Sequence, residues 1–401
     1  MESLRELYKV GSGPSSSHTI APQRAMTLFL NHFPQTDCFE VELYGSLSLT
    51  GKGHFSDQAI IQSVAPIECK VSFLLDWEYD FPNGLLIKGY QQQELLDKWV
   101  VYSLGGGSIK VLNHDFDFQK SIYPHTLMDD IITYCQKHNL SFHEYVSRFE
   151  PNLQSYLSNI LDSMIDSVKR GLNKEGNLPG KLNIQRIASS LNNKIKPNLP
   201  LDQMYRLKLA SYAYAVMEEN ASLGEVVTAP TCGSAGILAS IMYHYLTDLK
   251  YDREKLIEAL ATAGLFGNVV KKNATISGAE GGCQAEVGVG CAMAAAAVAA
   301  LEGGNLEIIE YAAEIGIEHH LGLTCDPVGG YVMIPCIERN AVAAQRAKDA
   351  AFMAQTLGEI KKNLVSFDMV VSTMKYTGSK IAIELRETSL GGLAQIINIK
   401  D

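Results

Sequence analysis

The sequence predicts an α+β protein in which a small N-terminal α+β domain precedes a larger all-α domain. Up to about residue 122, apolar and polar residues alternate in short runs, which is typical of strands. From residue 123 onward, apolar residues recur at helical spacing, and glycines and prolines separate the segments. We therefore expect an α+β domain over residues 1–122 and an all-helical domain over residues 123–401.

The first domain is expected to contain one early helix and four strands. The helix is predicted over residues 24–33, and alternation predicts strands over residues 39–49 and 69–75. Three consecutive glycines at 105–107 are a turn signal, and strands are predicted on both sides of it, over residues 99–102 and 109–112.

The second domain is expected to contain ten helices, because apolar residues recur there at i, i+3 and i+4. Their predicted ranges are 127–137, 141–149, 151–171, 205–220, 234–245, 253–268, 285–301, 306–319, 339–357 and 366–383. Within them, the apolar run at 287–301 is shorter than the roughly 20 residues that a membrane span needs. It consists largely of alanine and glycine, which predicts a buried, closely packed helix.

Composition narrows the class of protein. The chain has 401 residues, of which 46% are hydrophobic and 19% charged, an ordinary globular mixture. The net charge of −10 offers no basic surface, so nucleic acid is not an expected partner. The first ten residues carry charges and no apolar run, unlike a secretory signal. We expect a cytoplasmic protein without a membrane partner.

The eight cysteines lie at positions 38, 69, 135, 232, 283, 291, 325 and 336. A reducing compartment disfavours disulfides, so each thiol serves metal binding, catalysis or packing. Pro327 and Pro335 interrupt any helix between Cys325 and Cys336, which predicts that both thiols lie in loops. Cysteines near prolines are typical of iron–sulfur ligation. Zinc is the competing metal, although the sequence has no Cys-x-x-Cys pair.

Three segments carry polar groups suited to a small ligand. Residues 11–19 place glycines, three serines, His18 and Thr19 at a helix start, which is either an anion site or an ordinary N-cap. The glycine loop at 51–54 ends in His54, which is either catalytic or solvated. Residues 273–286 are crowded with small and polar side chains before the alanine-rich helix.

Several short blocks together resemble the bacterial iron–sulfur-dependent L-serine dehydratases. They are GPSSSHT (13–19), YGSLSLTGKGH (44–54), TAPT (228–231), SGAE (277–280), CQ (283–284), LGLTCDP (321–327), PCIERN (335–340) and RETSLGGLA (386–394). The resemblance therefore spans essentially the whole chain. It implies an N-terminal α+β domain fused to a helical catalytic domain, and conversion of L-serine to pyruvate and ammonia.

The resemblance also implies a [4Fe–4S] cluster held by Cys283, Cys325 and Cys336. Three thiolate ligands would leave one iron open to act as a Lewis acid on the serine hydroxyl. Some members end in a cysteine that folds back onto the cluster, whereas this sequence has none after position 336.

Candidate roles follow for other residues of these blocks. His18 and His54 are candidates for the base that removes the Cα proton, because histidine titrates near neutral pH. Glu280 is the candidate partner of the substrate ammonium group. Candidates for binding the substrate carboxylate are Ser15, Ser16, Ser17, Thr19, Asn273, Ser277 and Arg339. Arg339 is also suited to a structural salt bridge.

Three alternatives remain open at this point. A related cluster enzyme would deaminate threonine or release sulfide from cysteine. A non-catalytic amino-acid sensor would bind its ligand in the first domain and use the thiols for structural zinc. In the third alternative the thiols only pack in a helical core. Under the leading interpretation L-serine is the partner and the chain forms a homodimer.

Overall fold

The computed structural model describes residues 1–79, 81, 83–114, 116 and 120–397. The strands among them are β1 (Val10–Ser12), β2 (Cys38–Gly45), β3 (Glu68–Phe73), β4 (Asn83–Gln91), β5 (Glu94–Gly105), β6 (Ser108–Val111) and β7 (Glu225–Val227). Five of them form one sheet in the order β3-β2-β4-β5-β6. Strands β2 and β3 run parallel, and the other neighbours run antiparallel.

Helices α1 (Ala21–His32) and α3 (Ser56–Val64) pack on one face of this sheet. Alternate residues of β2 (Phe39, Val41 and Leu43) point into the resulting core, as period-two spacing requires. The ring of Trp99 on β5 is fully buried and lies 4.8 Å from that of Phe29 on α1. This small core is separate from the core of the helical domain.

The remaining helices lie mainly in the second half of the chain. They are α2 (Ser46–Leu49), α4 (Met128–His138), α5 (Phe142–Phe149), α6 (Gln154–Leu172), α7 (Ala188–Asn193), α8 (Leu201–Asn220), α9 (Ala235–Thr247), α10 (Arg253–Asn273), α11 (Gly278–Gly281), α12 (Val287–Leu301), α13 (Leu306–Glu318), α14 (Cys336–Gly358), α15 (Phe367–Lys380) and α16 (Leu393–Ile396). Helix α12 is central, with α9, α10, α13 and α14 packed around it.

Small residues let the neighbours of α12 approach closely. A Cβ atom at Gly290 would lie 2.9 Å from the Cβ of Ser234, and one at Gly316 would lie 3.0 Å from the Cα of Ala292. Within the described residues, the stretch Cys283–Leu301 is apolar and long enough to cross a membrane, but 89% of its apolar window is buried inside the protein. The predicted buried, closely packed helix is confirmed.

The N-terminal segment packs into the helical domain. Leu4, Leu7 and Tyr8 belong to the helical core, and Tyr8 donates a hydrogen bond to the carbonyl of Leu260 on α10. Strand β1 then pairs antiparallel with β7, before a π-helical turn (Ser16–Ile20) leads into α1. The serine-rich loop (residues 11–19) is therefore fixed between the two cores.

The α+β fold class is confirmed, and each of the ten predicted helices is present with shifted ends. The strand predicted over residues 39–49 is wrong at its end, because Gly45 adopts a φ of 60° and the chain continues as α2. Strand β4 was not predicted. Its Asn83, Gly84 and Gly89 are residue types that strands disfavour.

Candidate active site

A buried cavity lies between the N-terminal loops and the helical domain. Its walls come from the serine-rich loop, the turn before α3, the segments that precede α9, α12 and α14, and the C-terminal segment. The lining residues are Pro14, Ser15, His54, Gly233, Cys283, Glu286, Cys325, Pro327, Val332, Cys336 and Glu387. Residues from both ends of the chain therefore meet at one place.

Three segments carry the three predicted cluster ligands to this cavity. Cys283 lies in a single 3₁₀ turn before α12, and Cys325 lies in a loop. Cys336 is the first residue of α14, so the expectation that it lies in a loop is wrong. Pro335 only ends the loop, because a proline before the first turn of a helix blocks none of its hydrogen bonds.

The thiol groups are free and close together. The Sγ atoms of Cys283 and Cys325 and one carboxylate oxygen of Glu286 lie within 4.8 Å of one another. A hydrogen bond between the two thiols lowers the pKa of Cys283 and raises that of Cys325 well above its usual range. The pKa of Cys336 is also raised well above its usual range, in this case by burial. One thiol of the group is thus favoured as a thiolate.

Arg339 supplies the positive charge beside the thiols: it contributes to the lowered pKa of Cys283 and offsets part of the rise that burial causes in the pKa of Cys336. Its Nη1 donates to the carbonyl of Thr324 at 2.6 Å, and its Nη2 lies 3.7 Å from Oδ1 of Asp326. These contacts favour the structural salt bridge over carboxylate binding. The guanidinium holds the loop of Cys325 and stabilises thiolates.

His54 presents a free nitrogen to the cavity. Its Nδ1 lies 2.9 Å from the carbonyl oxygen of Thr50, which can only accept, so Nδ1 carries the proton. Its Nε2 is completely buried and has no hydrogen-bond partner among the described residues. Burial also lowers the pKa of His54 to about 4. The ring is therefore neutral at pH 7, with the Nε2 lone pair able to accept a proton.

His18 stacks on His54, with ring centroids 4.1 Å apart and an angle of 13° between the planes. Its Nε2 donates to the carbonyl of Ser46 at 3.0 Å, and its Nδ1 accepts from the hydroxyl of Ser15 at 3.0 Å. Burial, aided by the neighbouring His54, lowers the pKa of His18 well below its usual value. Both nitrogens are thus engaged, so His18 supports the ring of His54, and His54 is the better placed base.

Two glutamates of the cavity were not predicted. Glu286 accepts a hydrogen bond from the Thr231 hydroxyl at 2.7 Å, and its proximity to Cys283 in the sequence was the only available signal. Glu387 has an Oε1 atom 3.8 Å from Nδ1 of His18 and 3.9 Å from Nε2 of His54. Burial raises the pKa of both carboxyls, and that of Glu387 is raised further by Glu286 and Cys283.

The backbone around Glu387 explains how the C-terminal segment reaches the cavity. Its N–H donates to the carbonyl of Cys325, and the N–H of Cys325 donates to the carbonyl of Leu385, both at 2.8 Å. Farther along, the Ser389 hydroxyl donates to Pro327, and the N–H of Leu393 donates to Asp326. The segment is thereby attached along the loop that carries the second thiol.

Of the carboxylate candidates, Ser15 is the one that lines the cavity, and its hydroxyl is hydrogen-bonded to Nδ1 of His18. Ser16, Ser17 and Thr19 are buried in the π-helical turn, and the Thr19 hydroxyl is used within that loop, donating to Ser12 and Ser15. Their predicted contact with substrate has no support from these positions.

Three further candidates lie elsewhere. The amide of Asn273 donates to the carbonyls of Thr126 and Val269, and Ser277 caps α11 without lining the cavity. Glu280 accepts from Thr275 and lines two other, more open clefts. The predicted role of Glu280 at the substrate ammonium group is therefore unsupported, although a glutamate does occupy the cavity.

Comparison with known proteins places the chain in context. Residues 3–74 match the family model for the serine dehydratase beta chain, and residues 81–394 match that for the serine dehydratase alpha chain. L-serine dehydratase 1 of Escherichia coli strain K12 is 38% identical, over 98% of this chain and 99% of the relative. An L-serine dehydratase of Streptomyces coelicolor is 37% identical over 98% of each chain. One from Helicobacter pylori strain J99 is 35% identical over 98% of this chain and 99% of the relative.

Proposed function

The chain belongs to the serine dehydratase family, and from this membership we propose that it deaminates L-serine at a [4Fe–4S] cluster held by Cys283, Cys325 and Cys336. The relatives that it matches over nearly their full length are named L-serine dehydratases. The observation that supports this function best is the meeting of three thiols with the free Nε2 of His54 in one buried cavity.

The donor set fits such a cluster. Iron–sulfur clusters are held by cysteine thiolates, and three of the eight cysteines converge here from separate segments. Arg339 offsets the negative charge that deprotonated thiols would bring. When bound, the cluster supplies a Lewis acid for the departing hydroxyl group.

The protein groups account for the rest of the elimination. Nε2 of His54 takes the Cα proton, while the carbonyl of Thr50 keeps the ring in the tautomer that leaves Nε2 free. The electron pair of the Cα–H bond forms the Cα–Cβ double bond, and the hydroxyl leaves from Cβ. The resulting enamine rearranges to an imine, which water hydrolyses to pyruvate and ammonia. The buried walls of the cavity limit the entry of competing water.

Anaerobic purification and reconstitution with iron and sulfide test this function. We expect about four irons per chain, visible absorbance, and pyruvate from L-serine, all lost together in air. L-threonine and L-cysteine are assayed in parallel for ammonia and sulfide. A reconstituted protein that is inert to L-serine but active on another amino acid would refute the serine assignment. A protein that binds zinc and no iron would refute the cluster.

A further inference from the structure

Two carboxylates of the cavity lie close to Gly278. A Cβ atom at Gly278 would lie 2.8 Å from Oε2 of Glu286 and 3.3 Å from Oε2 of Glu387. The absence of a side chain at this position therefore leaves room for both groups. Burying two charged carboxylates together is costly, so without a nearby cation such a pair takes up a proton, which is why the pKa of both groups is raised; a bound cation favours the charged form instead.

The two glutamates have different neighbours. Glu286 belongs to the thiol side, since one of its oxygens lies within 4.8 Å of the sulfurs of Cys283 and Cys325, and it already accepts a hydrogen bond. Glu387 belongs to the imidazole side, since its carboxylate and one nitrogen of each of His18 and His54 lie within 4.8 Å of one another. A ligand that spans the cavity would meet a different carboxylate at each end.

We propose that Glu387 binds the α-ammonium group of the substrate, the amino acid whose Cα proton His54 removes. This inference rests on the proposed function and adds a recognition residue to it. Glu387 thereby selects 2-amino acids, because a substrate with a neutral or negative group at that carbon would leave the buried carboxylate without a cation.

Distances support this assignment. A base must approach its proton to within about 3 Å between heavy atoms. The Cα–N bond is about 1.46 Å long, and an ammonium–carboxylate hydrogen bond spans about 2.8 Å. The three distances run from Nε2 of His54 to Cα, from Cα to the ammonium nitrogen, and from that nitrogen to Oε1 of Glu387. Joined at ordinary bond angles, they fit the 3.9 Å between Nε2 of His54 and Oε1 of Glu387. The free, buried Nε2 independently marks this end of the cavity as a ligand position.

The backbone of Glu387 makes the position rigid. Its N–H donates a hydrogen bond to the carbonyl of Cys325, which fixes its backbone relative to the thiols, and its carboxylate accepts a hydrogen bond from the backbone of Ala279. The same attachment links ammonium recognition to the loop that carries one cluster ligand. By contrast, Glu280, the residue first expected to bind the ammonium group, projects into other clefts.

Binding of two unreactive ligands to the anaerobic holoenzyme tests the inference. L-alanine carries the ammonium group and lacks the leaving hydroxyl, while propanoate lacks both. We expect Glu387→Gln to lower the ratio of the propanoate Kd to the L-alanine Kd by about tenfold to a hundredfold, the value of a charged hydrogen bond. The matched control is Glu384→Gln, an exposed glutamate on the same segment, for which the ratio should stay within twofold of wild type.

An unchanged ratio in Glu387→Gln with unchanged iron content would overturn the inference, as would a fall confined to Glu286→Gln. If Glu387→Gln loses iron, the test is repeated with Glu387→Asp, which keeps the charge but has a side chain one methylene shorter. The Kd of L-alanine should again rise, and that of propanoate should not. Wild-type pyruvate release from L-serine is measured separately. An inert wild type with a ratio that depends on Glu387 refutes only the proposed function. An active wild type with an unchanged ratio refutes only the ammonium site.

Discussion

Replacing His54 with glutamine tests the assignment of the base. Burial lowers the pKa of His54 from 6.5 to about 4, which corresponds to about 3.4 kcal/mol in favour of the neutral ring. Glutamine can keep a hydrogen bond to the carbonyl of Thr50 but offers no basic nitrogen. We therefore expect kcat to fall by about 10²- to 10⁴-fold, or about 2.7–5.5 kcal/mol of barrier.

The assay is anaerobic pyruvate formation, with KM and iron content measured on the same sample. Both should stay within about twofold of wild type, because His54 is neither a proposed cluster ligand nor a substrate-binding residue and glutamine can keep its contact with Thr50. His319→Gln is the matched control: its Nδ1 also lies 3.0 Å from the carbonyl four residues earlier, but its ring is exposed. A His54→Gln enzyme that retains more than a tenth of wild-type kcat, with full iron content, would refute the reasoning.

The pH profile of the wild type provides a second readout of the same assignment. Because the folded pKa of His54 is lowered to about 4, the base stays unprotonated over the whole neutral range. The acidic limb of kcat/KM should therefore fall below pH 5, well under the usual histidine range. A limb at pH 6.5 would show that the base is a solvated group.

Three other substitutions, two of them with a matched control variant, have defined outcomes. Cys325→Ser should abolish iron binding and visible absorbance, whereas Cys291→Ser, at a buried thiol outside the cavity, should preserve both. Burial lowers the pKa of His320 from 6.5 to about 4, so as the pH falls the unfolded chain binds a proton at this residue first. The free energy of unfolding should therefore drop by about 2.6 kcal/mol between pH 6.5 and pH 4. His320→Gln should remove that share of the pH dependence in urea titrations. Gly290→Ala should lower the free energy of unfolding by about 1–3 kcal/mol in thermal scans, because the added Cβ would lie 2.9–3.0 Å from its nearest neighbours. The control Gly358→Ala should be neutral in the same scans, because its Cβ would lie 3.4 Å from the nearest atom.

Helix periodicity predicted helices such as α6, which has one apolar face, whereas α12 is buried on nearly every side and was recognised from its alanine-rich composition. Strand β4 was missed for a tertiary reason. A Cβ atom at Gly84 would lie 2.0 Å from the ring of Trp77, so the glycine that argued against a strand exists to admit this ring. Gly45 ended β2 early through its backbone conformation, which alternation does not encode.

At the site, the resemblance supplied the three cysteines and the chemistry of histidine supplied His54, and all four line the cavity. Their roles remain predictions, but their convergence required no correction. Glu387 could not be predicted because its position depends on a backbone bridge to Cys325, which only the folded chain creates. Glu280 was chosen from its place within a motif, and the direction of its side chain is a property of the turn before α12.

The pairing of β1 with β7 has a cost during synthesis. Residues 10–12 emerge from the ribosome early, yet their partners at 225–227 follow more than two hundred residues later. At typical elongation rates of about 5–20 residues per second, β1 waits roughly 10–40 s for its partner strand. During that interval helix α10, against which Leu4, Leu7 and Tyr8 pack, has not been synthesised either. The serine-rich loop next to them therefore reaches its final position only after both β7 and α10 have been synthesised.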